Sequence, residues 1–376
     1  MSESTRRKFL QGAVAAAAAT VVAPPARVSA GSAPAAAKAG PSIPIGPTAP
    51  YVSYQSEIYL SGMTVGIEPI FTTNLSDLEE AAAEVLSDPA RQHLLAWAGG
   101  AAAVRANARA LRAWRIVPRM FIDRAERNLE ANVLGDAMPA PVILGPIGQQ
   151  GLAHSEGEAA TARAAAALGL TYVHSSQASQ PVEAIAAVAP LGSRWFGLDW
   201  PGGDDPGPAL LRAKLAGCTH LVLSPPQSGK SWKPLTAIRE AWDKPIILSG
   251  IQTVQAARMA VRRGFNGIVV SNERGRRGDS TIGTIDALPR IADAVGGNVP
   301  VLFGSGVRTG TDVYRALALG ADAVMIGRPY VHGLALAGEA GVRHMLRTLL
   351  AELDITIAIA GVANYRELGP SALMRE

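Results

Sequence analysis

The sequence predicts an α/β protein: a (β/α)8 TIM barrel preceded by an N-terminal helical segment. Three observations carry the prediction. Eight short apolar runs, many rich in Val and Ile, recur at regular intervals between Ala/Leu-rich stretches of helical composition. The runs are nearly continuously apolar instead of alternating, which is the pattern of parallel strands covered on both faces. Each run also exits into a small or polar residue, and the C-terminal ends of barrel strands are where such folds build their sites. Strand–helix alternation gives βαβ units, and eight of them close into a barrel. An open doubly wound sheet is the alternative, but it does not call for eight evenly spaced strands.

Taken in chain order, residues 1–30 read as a twin-arginine export signal. Ser4-Thr5-Arg6-Arg7-Lys8-Phe9-Leu10 supplies the basic start, Ala13 to Ala23 an uncharged apolar stretch, and Val28-Ser29-Ala30 small residues for cleavage. The stretch is too short for a membrane span, so no stable membrane insertion is expected. An Ala-rich tail with two chance arginines is the alternative. That export route carries proteins already folded, which suits one that must take up a tight ligand first. Residues 31–50, rich in Ala, Pro, Gly and Ser, read as a flexible linker, and the globular domain runs over 51–376. Met63 to Phe121 reads as helical, with Asp77-Leu78-Glu79-Glu80 in a first turn and Pro118-Arg119 closing the segment.

Composition excludes several classes. With 48% hydrophobic and 18% charged residues the chain can bury a large core and is not a disordered protein. A net charge of +4 without a long basic run argues against nucleic acid as a partner. The single cysteine, Cys218, cannot form an internal disulfide and reads as a small core residue. The dispersed histidines, among them His154, His174 and His332, read as structural or surface groups, and no metal site is expected.

The apolar runs are Pro141–Leu144, Thr171–His174, Arg194–Leu198, His220–Leu223, Pro245–Leu248, Gly267–Val270, Val299–Phe303 and Asp322–Ile326. They exit into Gly145, Ser175, Asp199, Ser224, Ser249, Ser271-Asn272, Gly304 and Gly327. The last two loops, Gly304-Ser305-Gly306-Val307-Arg308-Thr309-Gly310-Thr311-Asp312 and Gly327-Arg328-Pro329, stand where many barrels bind a phosphate. Glycines let backbone N–H groups approach phosphate oxygens, a helix N-terminus adds its dipole, and Arg308 and Arg328 add charge-assisted hydrogen bonds. Either loop alone is equally consistent with glycines that only serve tight turns. The pair, each with an arginine, points to a phosphorylated ligand.

At these residues the sequence resembles the FMN-dependent 2-hydroxy-acid dehydrogenase and oxidase family, with the lactate monooxygenase branch most similar. The resemblance is carried by Val301 to Val313, Ala316-Leu317-Ala318-Leu319-Gly320-Ala321, Ile326-Gly327-Arg328-Pro329-Tyr330, Val117-Pro118-Arg119-Met120 and Pro146-Ile147-Gly148. It implies that FMN is the cofactor. It also implies that Arg308, Gly327 and Arg328 hold the phosphate with Ser305 and Gly306, that Pro146, Ile147 and Gly148 line the flavin, and that Ser175 contacts it.

The sequence departs from that family where the family's chemistry lies. The catalytic loop Ser-Asn-His-Gly-Gly-Arg-Gln reads Ser271-Asn272-Glu273-Arg274-Gly275-Arg276-Arg277, so Glu273 replaces the proton-accepting histidine while Arg276 keeps the carboxylate-binding arginine. The nearby arginines favour the carboxylate form of Glu273 and weaken it as a base; an ion-pair cluster on a solvated loop is the alternative. Ser249 replaces the lysine that steadies reduced flavin, and Gly304 the aspartate that binds the ribityl hydroxyls. Gly197 replaces a flavin-binding glutamine, Asp199 a substrate tyrosine, and Ile58 a second one. The long loop after the fourth strand, with its substrate arginine, is absent, leaving Lys230 as a partial stand-in.

Three functions are consistent with this pattern: a flavin-dependent oxidoreductase with an altered small-molecule substrate, a catalytically impaired FMN-binding accessory protein, and a barrel for another phosphorylated ligand. Oxidation of lactate and glycolate is expected to be weak. With Asp199 and Glu273 in one mouth, a neutral or amine-bearing substrate is expected. Self-association into a homo-oligomer is left open.

Overall fold

The computed structural model describes residues 51, 54, 74–95, 101–120, 127–200, 205–224, 234–273 and 282–376. The signal and linker, and the positions of Ile58, Lys230 and Arg276, lie outside the described residues.

All eight predicted strands are present. They are β1 (Val142–Leu144), β2 (Thr171–Ser175), β3 (Arg194–Asp199), β4 (Leu221–Ser224), β5 (Ile246–Ile251), β6 (Gly267–Val270), β7 (Val301–Gly304) and β8 (Ala323–Ile326). Each pairs in parallel with its neighbours, and β8 returns to β1 through Val324↔Val142, Met325↔Ile143 and Ile326↔Leu144, closing the barrel. Every residue of β1, β6, β7 and β8 is buried, the physical reason these strands read as unbroken apolar runs. β3 and β5 run past the predicted apolar runs, to Asp199 and to Ile251; Asp199 stays paired with Ser224 of β4, and Ile251 pairs with Val270 of β6 across a register shift.

Two helices precede the barrel, α1 (Leu78–Val85) and α2 (Ala102–Arg112). A helix then follows each strand: α3 (Gly157–Ala167), α4 (Val182–Val188), α5 (Gly207–Leu215), α6 (Pro234–Ala241), α7 (Val254–Arg262), α8 (Thr284–Val295), α9 (Gly310–Ala318) and α10 (Arg328–Ile359). Two starts are fixed by threonine caps: Thr253 Oγ1 accepts from Ala256 N at 3.2 Å, and Thr309 Oγ1 from Asp312 N at 3.2 Å. α10 is a double element, broken by non-helical backbone at Ala337 and Gly338.

The N-terminal segment is only partly as predicted. Its helical part ends at Arg112, and Trp114–Ile116 forms a strand antiparallel to Leu373–Arg375. An aromatic and a β-branched residue favour extended backbone once a partner strand is at hand, and that partner comes from the far end of the chain. α1 packs on α10, and its Leu78 and Ala82 are buried. Cys218 is buried and free, and burial pushes its thiol up to about 11, so it is an inert core group.

Candidate active site

The exits of all eight strands converge on one cavity at the C-terminal mouth of the barrel. Counted out to the open rim it spans about 1160 Å³, room for a cofactor-sized ligand with a small substrate beside it. Every described residue predicted from sequence lines it. Pro146, Ile147 and Gly148 follow β1, and Ser175, Asp199, Ser249 and Glu273 stand at the exits of β2, β3, β5 and β6. Gly304, Ser305, Gly306 and Arg308 follow β7, and Gly327 and Arg328 follow β8.

The β7–β8 end carries two arginines, both beside the carboxylate of Glu79. The Arg328 side chain is only 4% exposed and that of Arg308 24%. Gly306 has φ +85°, and a Cβ there would meet Asn107 Cβ at 2.9 Å and Leu111 Cδ1 at 3.0 Å, so only glycine permits this turn. Asp312 steadies the loop, accepting from Arg308 N at 3.0 Å and from Arg315 at 2.8 Å. Which helix faces the cavity differs between the two loops. The first N–H groups of α9 are taken by Glu352, which accepts from Gly310 N at 3.1 Å and Thr311 N at 3.3 Å. The start of α10, by contrast, has no side-chain cap and lines the mouth with Gly327 and Arg328. Burial, and then the field of Arg308 and Arg328, holds the His332 imidazole well below its usual range and therefore neutral.

The arc from β2 to β6 is built differently. Asp199 accepts from Gln177 Nε2 at 3.1 Å, and its backbone N donates to Ser176 Oγ at 3.2 Å. Glu273 sits at φ +47°, a left-handed conformation uncommon for a side-chain-bearing residue, with its N donating to Ser271 Oγ at 2.9 Å. Ser305, at φ +102°, bonds Ser271 Oγ at 3.0 Å and accepts from Asn272 N at 3.2 Å. These hydrogen bonds hold two strained positions beside each other, and such strain concentrates at functional sites. Beneath them the buried Asn107 and Asn272 exchange amide hydrogen bonds of 3.0 and 3.2 Å, and Asn107 Oδ1 also accepts from Thr284 N at 2.9 Å. This ties the β6 exit to α2 and α8. His93, Gln177 and Asn107 were not singled out in the sequence; His93 and Gln177 line the cavity.

A scan of family models matches the FMN-dependent dehydrogenase description over residues 82–225 and 226–375. The chain belongs to the FMN-dependent dehydrogenase family. It is 34% identical to the FMN-dependent alpha-hydroxy acid dehydrogenase qulF of Penicillium citrinum, over 88% of this chain and 97% of that protein. It is 32% identical to an L-lactate oxidase of Lysinibacillus sphaericus, over 81% of this chain and 93% of that protein. Among solved structures, mandelate oxidase with benzoyl-formic acid matches with a TM-score of 0.75 and 34% identity, over 81% of this chain and 99% of that one. The protein is thus a flavoprotein related to the 2-hydroxy-acid oxidases, and FMN is its cofactor.

The two ends of the mouth fit FMN unequally. Two guanidinium groups, a glycine turn and an uncapped helix start at β7–β8 suit a phosphate. Around the other strand exits, the positions that the family resemblance assigns to flavin and substrate chemistry carry different groups. At Gly197 a Cβ would lie 2.6 Å from Pro146 Cβ, so Pro146 fills the space a side chain at that position would take. At the exit of β5 a serine hydroxyl, Ser249, stands where the resemblance expects a lysine ammonium.

Proposed function

We propose that the protein holds FMN in the barrel mouth and oxidises a small neutral or amine-bearing substrate instead of a simple 2-hydroxy acid. The observation that carries the proposal is the pairing, within one cavity, of the phosphate arginines with two carboxylates, Asp199 and Glu273. Bound FMN supplies a two-electron acceptor for the hydride or its equivalent. Arg308 and Arg328 anchor the phosphate, Gly306 and Gly327 bring backbone close to it, and Pro146, Ile147 and Gly148 line the ring system. Glu273 accepts the proton leaving the substrate. Asp199, oriented by Gln177, receives a hydrogen-bond donor or cation on the substrate. An anionic substrate is repelled by both carboxylates, and Arg276 is the residue assigned to offset part of that repulsion.

Residues 1–30 are proposed to direct export through the twin-arginine route, with 31–50 as a linker to the 51–376 domain. The basis is the order of charge, apolar stretch and small-residue exit. A second reading, an FMN-binding accessory protein, is favoured by one feature, the absence of a cation at Ser249 to steady negative charge on reduced flavin.

The test starts from the visible absorbance of the purified protein, which reports bound flavin. The protein is then mixed without oxygen with neutral, amine-bearing and carboxylate substrates, alongside Asp199→Asn and Glu273→Gln variants. The proposal expects neutral or amine-bearing compounds to bleach the flavin best, Glu273→Gln to slow bleaching by all of them, and both variants to shift the binding order, read from flavin difference spectra, toward carboxylates. If carboxylates lead and neither variant alters the order, the substrate assignment is wrong. If nothing in the panel bleaches a fully loaded flavin, the accessory reading replaces it.

A further inference from the structure

The two arginines assigned to the phosphate already share an anion from the chain itself. Glu79, in the first turn of α1, accepts from Arg308 Nη2 through Oε2 at 3.1 Å, and its Oε1 lies 3.9 Å from Arg328 Nη1. We infer that Glu79 is a resident counter-anion of the FMN phosphate site. It stabilises the flavin-free protein and swings out when phosphate docks, and so it sets how strongly the protein prefers FMN to unphosphorylated riboflavin. The inference rests on the assignment of Arg308 and Arg328 to the phosphate.

The charge balance supplies the reason. A phosphate monoester carries about −1.5 to −2 near neutral pH. If Glu79 stayed between the arginines, nearly three negative charges would face two positive ones within a few ångströms. With Glu79 displaced, phosphate and guanidinium groups nearly cancel. Without either anion, the two guanidinium groups, both lining the cavity, would repel each other with no carboxylate between them, at a cost. Glu79 therefore offsets that cost in the empty site and competes in the filled one.

The local structure allows this exchange. α1 packs on α10, and its Leu78 and Ala82 are 2% and 0% exposed, so the helix itself is fixed. The Glu79 side chain is 36% exposed, so rotation about its own bonds brings the carboxylate to water. No backbone movement is required.

The test uses the full chain freed of flavin and titrated separately with FMN and with riboflavin, following quenching of flavin fluorescence. Its thermal midpoint without ligand is measured in parallel. Glu79→Gln is expected to tighten FMN about fivefold, leave riboflavin unchanged, and lower the ligand-free midpoint. FMN affinity that is unchanged or weaker in this variant overturns the inference and makes Glu79 a residue that positions the arginines. Should Glu79→Gln fail to fold, Glu79→Asp, with its shorter reach, is expected to move FMN affinity the same way by a smaller factor, and no shift there overturns the inference equally. Arg328→Ala separates the two claims. If it collapses the preference for FMN over riboflavin while the Glu79 variants do nothing, only the counter-anion idea fails. If it leaves that preference intact, the phosphate assignment fails and the inference falls with it.

Discussion

At the β7–β8 end of the mouth, Arg308 and Arg328 converge on one spot, backed by a glycine turn at Gly306 and the uncapped start of α10. Four strands around the barrel from β7, at the exit of β3, Asp199 is hydrogen-bonded to Gln177, and Ser249 and Glu273 stand at the exits of β5 and β6. The first region has what a phosphate needs. Among the described residues, the strand exits of the second region carry two carboxylates, Asp199 and Glu273, and no lysine or arginine. A chain under no constraint would lose both regions alike. That contrast is the basis of the proposed reading, in which the cofactor is held as in the family and the substrate differs.

The largest expected effect breaks the first region. Replacing both Arg308 and Arg328 by alanine removes two charge-assisted anchors worth roughly 1.5–3 kcal/mol each, so FMN affinity should fall by about 10²-fold or more. The variant should purify colourless with an unchanged far-ultraviolet circular dichroism spectrum. Full flavin content in the folded double variant would place the cofactor elsewhere.

A smaller effect separates the regions by pH. Burial lowers the His174 imidazole to about 4, and burial with the field of two arginines lowers His332. Both folded-state values lie below the unfolded value of about 6.5, so the unfolded chain binds more protons in between. The stability tied to these groups is therefore complete above about pH 6.5 and is lost as pH falls toward 4, by at most about 1.4 kcal/mol per pH unit for each histidine. Urea midpoints of the flavin-free protein across that window should drop, and His332→Gln should flatten the slope. An unchanged slope in that variant would mean that burial and the two arginines do not hold His332 neutral in the folded protein.

The barrel was legible because strands buried on both faces must be apolar throughout, and helix-forming stretches separate them. The phosphate end was legible for a local reason: Gly306, Arg308, Gly327 and Arg328 lie within two short loops whose function follows from their own backbone. What escaped was long-range. Asn107 reads as one polar residue in an Ala-rich helix, and its partner Asn272 is 165 positions away. Glu79 reads as an ordinary acidic first-turn residue, and only folding brings it to Arg308, 229 positions on. Glu352 likewise reaches back to the start of α9 from within α10. Trp114–Ile116 reads as helix from its own neighbourhood, because its strand partner, Leu373–Arg375, is supplied by the far end of the chain.

The central claim is that a retained cofactor site serves an altered reaction, and rapid mixing of the flavin-loaded protein with L-lactate under anaerobic conditions tests it most directly. Loss of a positioned histidine base removes roughly 10²–10⁴-fold, and loss of an oriented electrostatic stabiliser roughly 10²–10³-fold. With Glu273 and Ser249 at those positions, the flavin absorbance should persist for many minutes at saturating lactate, and glycolate should behave alike. Bleaching within the first seconds would contradict the account.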